Sequence, residues 1–449
     1  MLNSLNQNRQ KIILLSIATG IYLFFLIGFY PGLASYDSFS ALKMAQGDEI
    51  FNPGMTYLYV GLIKLSLNIF GTTFGVILTQ NAIFILSIVF LISKINVRFT
   101  SKIILMISII SLPGNWILMN GLWKDGLFIS GIIIVLRFLI TNELNLEKRD
   151  LIIFCFGLLL IGTSRPNGFL TNFVVIFVLI LRHQKINKMI LSGIFISILT
   201  FGITVQIPRI LDQPMWHIKT NIWSQFYADV VESWALGPVG LSPNESEFMD
   251  KITSKADVEN IYRCEMVNTL YGITNMSMIP DNSQTIFRIW RKTLKQDPAS
   301  VIHSRICRGS MILKPFPRLE VDSRGFFNIP YPIFLGQWSE AELGPSYLIS
   351  DLSKLLEVLL KIVWSPYFLT LLWWGGFWFW GLTLLIFLTT IFLKWKLGGS
   401  KYGYLFIVLY SIISGLTVPA VDFRFALPQI ITAIVLGTQI VSINRVKQT

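Results

Sequence analysis

Tyr30-Pro31-Gly32-Leu33-Ala34-Ser35-Tyr36-Asp37-Ser38 follows directly on an apolar run from Ile12 to Phe29 and closes at Asn52-Pro53-Gly54. The run is long enough to carry a helix across a bilayer, and Pro31-Gly32 breaks that helix, so the polar residues beyond it emerge at a water-facing surface. Asp37 is the carboxylate this break sets just outside the first span. It precedes Ser38-Phe39-Ser40-Ala41-Leu42-Lys43-Met44-Ala45, a short amphipathic helix, and as a lone loop acid it reads as the N-cap of that helix. The residues that share its side of the membrane turn the reading toward a catalytic base.

Of the 449 residues, 53% are hydrophobic and 14% charged, with a mean hydropathy of +0.61. Soluble domains carry about a quarter charged residues, so the composition is that of a polytopic membrane protein. A net charge of +12 would point to nucleic acid in a soluble chain. Here most basic residues lie in short loops between apolar spans, where the positive-inside rule puts them, and no nucleic-acid role follows. Arg9 and Lys11 precede the first apolar run as in a signal peptide, but the run is long and lacks a small-x-small cleavage site, so it reads as a retained helix. The three cysteines (Cys155, Cys264, Cys307) and three histidines (His183, His217, His303) have no metal-ligand spacing. No cofactor is assigned: a divalent metal would suit the chemistry proposed below, but no carboxylate cluster is evident to hold it. Cys264 and Cys307 share the large polar region, where a disulfide and two free thiols both stay open.

Apolar spans fall at 12–29, 72–93, 103–119, 126–141, 151–163, 169–181, 189–206, 367–393, 402–419 and 426–442, which makes about ten transmembrane helices. Residues 53–70 are apolar enough to span but carry Lys64 at their middle. If they do not cross, the loops bearing Arg98 and Lys102, Lys148 and Arg149, Arg182 and Lys188, Lys394 and Lys401, and Arg445 all join Arg9 and Lys11 in the cytoplasm; if they cross, the rule fails for most of them. The stretch 53–70 therefore reads as a juxtamembrane helix in the outer interface, with Lys64 snorkelling to water. The division that follows is a transmembrane region at 1–206 with its first outer loop at 30–71, an extracytoplasmic, mainly helical domain at 207–366, and a second transmembrane region at 367–449. Both termini are cytoplasmic, in a multi-pass protein of the cell membrane. Within the outer domain a helical pattern over 285–313 is interrupted at Asp297-Pro298.

The short outer loops each carry charge where the rule expects few cations: Trp123-Lys124-Asp125-Gly126, Ser164-Arg165-Pro166-Asn167-Gly168, and Asp422-Phe423-Arg424-Phe425-Ala426-Leu427-Pro428. Trp123 reads as an aromatic-belt residue, Lys124 as a snorkelling lysine and Asp125 as a helix cap. Arg165 is different. Its flanking spans have about 13 residues each and cover roughly 20 Å of a ~30 Å core. The Pro-Asn-Gly turn then lies below the surface, which is tolerable only beside a wet or protein-walled cavity. Asp422 and Arg424 read equally as an interfacial salt bridge. His303, Arg305 and Arg308 read first as a solvated helix face and second as ligands.

Taken in order and on one side of the membrane, Pro-Gly…Asp-Ser, Trp-Lys-Asp, Arg-x-Asn-Gly and Asp-x-Arg-aromatic resemble the GT-C class of integral-membrane glycosyltransferases, in particular bacterial members related to protein O-mannosyltransferases and aminoarabinose transferases. The resemblance implies a GT-C-like fold and a polyprenyl-phosphate sugar as donor. It makes Asp37 the base toward the acceptor and Lys124, Arg165 and Arg424 ligands of the donor phosphate, with Asp125, Asn167 and Asp422 in support and His303 and Arg305 of second rank. Ser38 follows Asp37 where relatives carry a second acid, and Asn52-Pro53-Gly54 stands where many have His or Gln before two prolines.

That chemistry needs a base for the incoming hydroxyl or amine and cations at the phosphate where charge develops, in a site closed to bulk water. The expected partners are the lipid-linked donor, an extracytoplasmic acceptor (glycan, lipid or protein) and the bilayer. A flippase for lipid-linked glycans would use the same cations without a base at Asp37. The topology has a direct test: a cysteine introduced in the 95–101 loop reacts with a membrane-impermeant maleimide only after permeabilisation, and one in 207–366 reacts in intact cells. Labelling of 95–101 from outside would reverse the assignment.

Overall fold

The structure is a computed structural model. It describes all residues except 1, 50, 52, 142–146, 183–186, 207–209, 211–215, 236, 238–239, 263, 265–266, 317–332, 335–348, 364–367, 393–396, 418–422 and 446–449. The described chain is all-α apart from one antiparallel ladder of two-residue strands, β1 (Leu33–Ala34) on β2 (Ile333–Phe334).

The first half runs α1 (Leu2–Gly28), α2 (Tyr36–Gln46), α3 (Tyr57–Phe70), α4 (Phe74–Lys94), α5 (Phe99–Ile110), α6 (Pro113–Asn120), α7 (Asp125–Ile140), α8 (Lys148–Ser164), α9 (Gly168–Leu181) and α10 (Asn187–Phe201). A helix lies in each of the ten apolar stretches, but their lengths differ from the expectation of ten full spans. Among the described residues three stretches are long and apolar enough to cross a bilayer (Gln7–Gly28, Phe74–Lys94 and Arg424–Ser442), and a fourth counts if α5 and α6, bent by 63°, form one broken span. The shortfall has local causes. Pro113 opens α6 and breaks the span at residues 111–112, and Asn115 Nδ2 donates to the Ile109 carbonyl (2.6 Å), restoring a bond near the break. α7 has 16 residues, about 24 Å of rise. α3, with 14 residues and an exposed Lys64, is shorter than a span.

Large apolar side chains face outward and several polar ones inward. Ile12, Ile104, Ile152, Leu191, Phe195 and Phe392 stand on the outside, while Gln80, Asn81, Asn115 and Asn120 are buried. α7 and α8 approach closely: a Cβ on Gly131 would meet the Gly157 carbonyl oxygen at 2.7 Å, the small-residue contact that lets helices associate without a hydrophobic drive.

A second, separate apolar core is built from Tyr227, Val231, Trp234, Met249, Val258, Leu270, Ile279, Ile286 and Ile289. Its helices are α11 (Trp216–Ala235), α12 (Pro243–Ile252), α13 (Lys255–Ile261), α14 (Val267–Ile273), α15 (Met278–Asp281) and α16 (Ser283–Gln296), followed by α17 (Pro298–Arg308) and α18 (Ser310–Leu313). The break expected at Asp297-Pro298 is a helix start, with Asp297 accepting from the Ser300 amide (3.1 Å) and Pro298 in the first turn. In α12, burial pushes the Glu245 carboxyl up, but hydrogen bonds from Lys292 and Ser242 outweigh it and hold the pKa at about 2. The chain then continues through α19 (Ser350–Val363), α20 (Gly375–Ile391), α21 (Ser400–Thr417) and α22 (Phe423–Arg445).

The cysteine question is resolved: Cys264 and Cys307 form a disulfide, tying the segment before α14 to α17, and Cys155 is free. The Cys264→Ser/Cys307→Ser protein should lose about 2–4 kcal/mol of stability, read as a lower unfolding midpoint of the purified protein. An unchanged midpoint would mean that the link contributes nothing to holding this unit.

Candidate functional site

The loop after α1 is stitched to the Trp123-Lys124-Asp125 loop. Gly32, at φ 143°, turns the chain into β1, and the Leu33 carbonyl accepts from the Leu122 amide at 2.7 Å. Ser35 is the N-cap of α2 and its amide donates to Ser38 Oγ (2.9 Å). Ser38 Oγ in turn donates to the Leu122 carbonyl (2.9 Å), and Trp123 Nε1 donates to Ser35 Oγ (2.6 Å). The cap reading of Asp37 is thereby displaced onto Ser35. Asp37 lies in the first turn of α2, with its side chain 49% exposed. From below, α4 holds the same loop: Gln80 Nε2 donates to the Gly121 carbonyl and Asn81 Nδ2 to that of Met119, each at 2.9 Å.

Four of the expected charges meet here with Asp125 at their centre. Asp125 is buried at the start of α7. Arg165, 4% exposed at the break between α8 and α9, donates to Asp125 Oδ1 through Nε and Nη2. Its guanidinium lies over the rings of Phe128 and Phe425, 4.5 and 4.2 Å from their centroids, and Nη2 reaches the Arg424 carbonyl at 3.3 Å. Arg424, in the first turn of α22, bridges the two carboxylates: Nη1 is 3.1 Å from Asp37 Oδ2 and 3.4 Å from Asp125 Oδ2. Lys124 points the other way, donating to the Gly54 carbonyl with Met55 Sδ at 3.8 Å. Burial lowers the pKa of the Lys124 ammonium from its ordinary value, against the pull of Asp125 and Asp37. Among the described residues the cluster holds three cations, Lys124, Arg165 and Arg424, and two carboxylates, Asp37 and Asp125.

The remaining expected residues fall elsewhere. Asn167 is the N-cap residue of α9; its carbonyl accepts from Leu170 (3.1 Å), and its side chain makes none of the cluster's hydrogen bonds. Asp422 and Asn52 lie outside the described residues. His303 pairs with Glu232 at 3.1 Å on an exposed face. Arg305 and Arg308 are not a solvated face. Both donate to the fully buried Asp229, Arg305 through Nε (2.8 Å) and Nη2 (2.6 Å), and Trp290 Nε1 adds a third donor at 2.9 Å. Burial disfavours the charged Arg308, but Asp229 outweighs it and raises its pKa. Arg305 Nη1 also donates to the Leu416 carbonyl (2.9 Å), which fastens α17 to the end of α21.

Arg165 was expected to hold phosphate, and the geometry commits its guanidinium to Asp125. The exposed face of the cluster is the Asp37–Arg424 pair. Sequence reading missed Ser35 and Ser38 as the clamp on this loop, although the Ser-x-x-Ser spacing resembles a capping box. It missed Asp229 altogether, a single acid in a helix with no local pattern to mark it. Among the described residues no group of three or more His, Cys, Asp or Glu side chains stands together as a metal site. No protein-family model, curated protein or solved structure matches the chain.

If Asp125 depends on Arg165 as drawn, Arg165→Ala strands a buried carboxylate and should cost about 3–5 kcal/mol of stability, while Asp125→Leu/Arg165→Met together should regain most of it. A thermal-unfolding double-mutant cycle measures this. Additive losses in the double variant would mean that the two side chains act independently.

Proposed function

We propose that the chain is a membrane glycosyltransferase of GT-C-like architecture with about ten membrane crossings, moving a sugar from a polyprenyl-phosphate-linked donor to an extracytoplasmic acceptor. The observation that carries the reading is the bridge made by Arg424 between the half-exposed Asp37 and the buried Asp125–Arg165 pair.

In this reading Arg424 has two states. In the empty site it pairs with Asp37. A donor phosphate competes for the same guanidinium, and Asp37, released, takes the proton from the acceptor hydroxyl or amine. The acceptor's lone pair forms the new bond to C1, the C1–O bond to phosphate breaks, and its electrons stay on the phosphate oxygen. The cations of the cluster then face the charge that develops on the leaving group, in a low-dielectric site where fixed cations are most effective. Arg165 acts one step back: it holds Asp125, and through the Arg424 carbonyl it sets where Arg424 starts from. A lipid donor also accounts for a site at the membrane face, since its tail can stay among the helices while the headgroup reaches Asp37.

Asp37→Asn tests the base. It keeps size and packing, and Ser35 still caps α2, so the protein should fold and melt like the wild type. Donor affinity should persist or rise, because Arg424 loses a competitor. Sugar transfer should fall by about 10²–10⁴-fold. Wild-type transfer in the folded variant would remove Asp37 from the reaction and favour a flippase.

A further inference from the structure

The junction between α2 and α3 holds two buried hydroxyls that the fold does not use. Thr56 follows the Pro53–Met55 turn with φ 62° and ψ 138°, a left-handed φ that a β-branched residue adopts only under constraint. It occupies the N-cap of α3, yet its side chain makes no cap hydrogen bond; the residue is 2% exposed and Oγ1 has no partner. Tyr59, in the first turn of α3, is also 2% exposed, and its hydroxyl likewise has no partner. Buried polar atoms are nearly always paired, so two orphans within four residues of chain ask for a ligand.

Thr56 directly follows the turn that Lys124 grips, and Tyr59 lies in the first turn of the helix that comes next. Lys124 Nζ donates to the Gly54 carbonyl and, at 3.8 Å, to Met55 Sδ, and an ammonium has three N–H groups, so these two bonds leave one to offer. Burial and the charge of Asp125 both raise the Tyr59 phenol well above its ordinary pKa, which keeps it protonated and a donor. Thr56 adjoins the Met55 that Lys124 contacts, and Tyr59 is close enough to Asp125 to feel its charge, so three donors border a cluster whose described residues hold three cations and two carboxylates. A neutral sugar hydroxyl would bring no charge to those cations, whereas a tetrahedral phosphoryl group accepts several hydrogen bonds and brings negative charge.

We propose that Thr56 Oγ1, the Tyr59 hydroxyl and Lys124 Nζ form a subsite for a phosphoryl group, a role that rests on the polyprenyl-phosphate reading and moves the phosphate to the Lys124 side of the cluster, with Arg424 at its edge. Tyr59→Phe and Thr56→Val each remove one oxygen and keep shape. The experiment titrates the purified full-length protein and each variant, by calorimetry, with citronellyl phosphate and separately with inorganic phosphate.

Each substitution should weaken citronellyl phosphate binding by about 10-fold or more, the loss of one hydrogen bond to a charged group. The melting temperature of the ligand-free variants should hold or rise, since neither hydroxyl has a protein partner to lose. Equal sensitivity with inorganic phosphate supports a subsite for the phosphoryl group alone; sensitivity only with the isoprenyl phosphate supports one for the lipid headgroup. Unchanged affinity in both variants, a wild type that binds neither probe, or a lower melting temperature without ligand would overturn the subsite. A wild type that binds through these hydroxyls but transfers no sugar from a panel of polyprenyl-phosphate sugars would overturn the transferase reading and leave the subsite standing.

Discussion

A carboxylate taken out of water must be paired, and Asp125 is paired by two arginines from opposite ends of the chain. Removing two charges from water costs several kcal/mol per ion, so such a contact forms only where geometry supplies enough partners. Here it does: Arg165 donates twice, two aromatic faces cover its guanidinium, and Arg424 closes the other carboxylate oxygen. The break between α8 and α9, the start of α7 and the start of α22 are thereby drawn to one point. Asp37 joins through the remaining reach of Arg424, and it is the more exposed of the two carboxylates.

The same solution appears in the second apolar unit. Asp229 takes Arg305, Arg308 and Trp290, and the Cys264–Cys307 disulfide pins α17 beside them. Its consequence differs because Asp229 has no exposed partner in the role of Asp37. Arg305 spends its third contact on the Leu416 carbonyl, and a Cβ on Gly309 would overlap the Gly415 carbonyl oxygen, so the unit is seated directly on α21. One buried acid organises a cluster that reaches the surface through Asp37; the other organises a joint. α11 packs against the Pro53–Met55 turn, which brings the second unit to the edge of the Lys124 contact.

Short and broken helices accompany the polar residues buried in this bundle. The 63° bend between α5 and α6 frees backbone groups that Asn115 helps to satisfy, while Asn81 covers the Met119 carbonyl in the last turn of α6 and Gln80 that of Gly121 just beyond it. These amides lie inside the bundle because the site above them interrupts regular helix.

Hydropathy and loop charge placed the apolar helices, the shortness of the α8–α9 turn and the set of polar loops between helices, because each is written in a window of some twenty residues and follows from the transfer of local groups between water and lipid. The sequence alone could therefore nominate Asp37, Lys124, Arg165 and Arg424. Which charges meet was not legible. Arg165 finds Asp125 across 40 residues and Arg424 finds Asp37 across 387, and nothing in a local period distinguishes those pairings from a salt bridge to Asp422 or a snorkelling cation. Nor could it show that Ser35 takes the cap, that Arg305 and Arg308 turn inward to Asp229, or that Cys264 and Cys307 join. Each of these depends on how helices pack, and a buried charge or an unpaired hydroxyl has meaning only once the tertiary structure has decided what surrounds it.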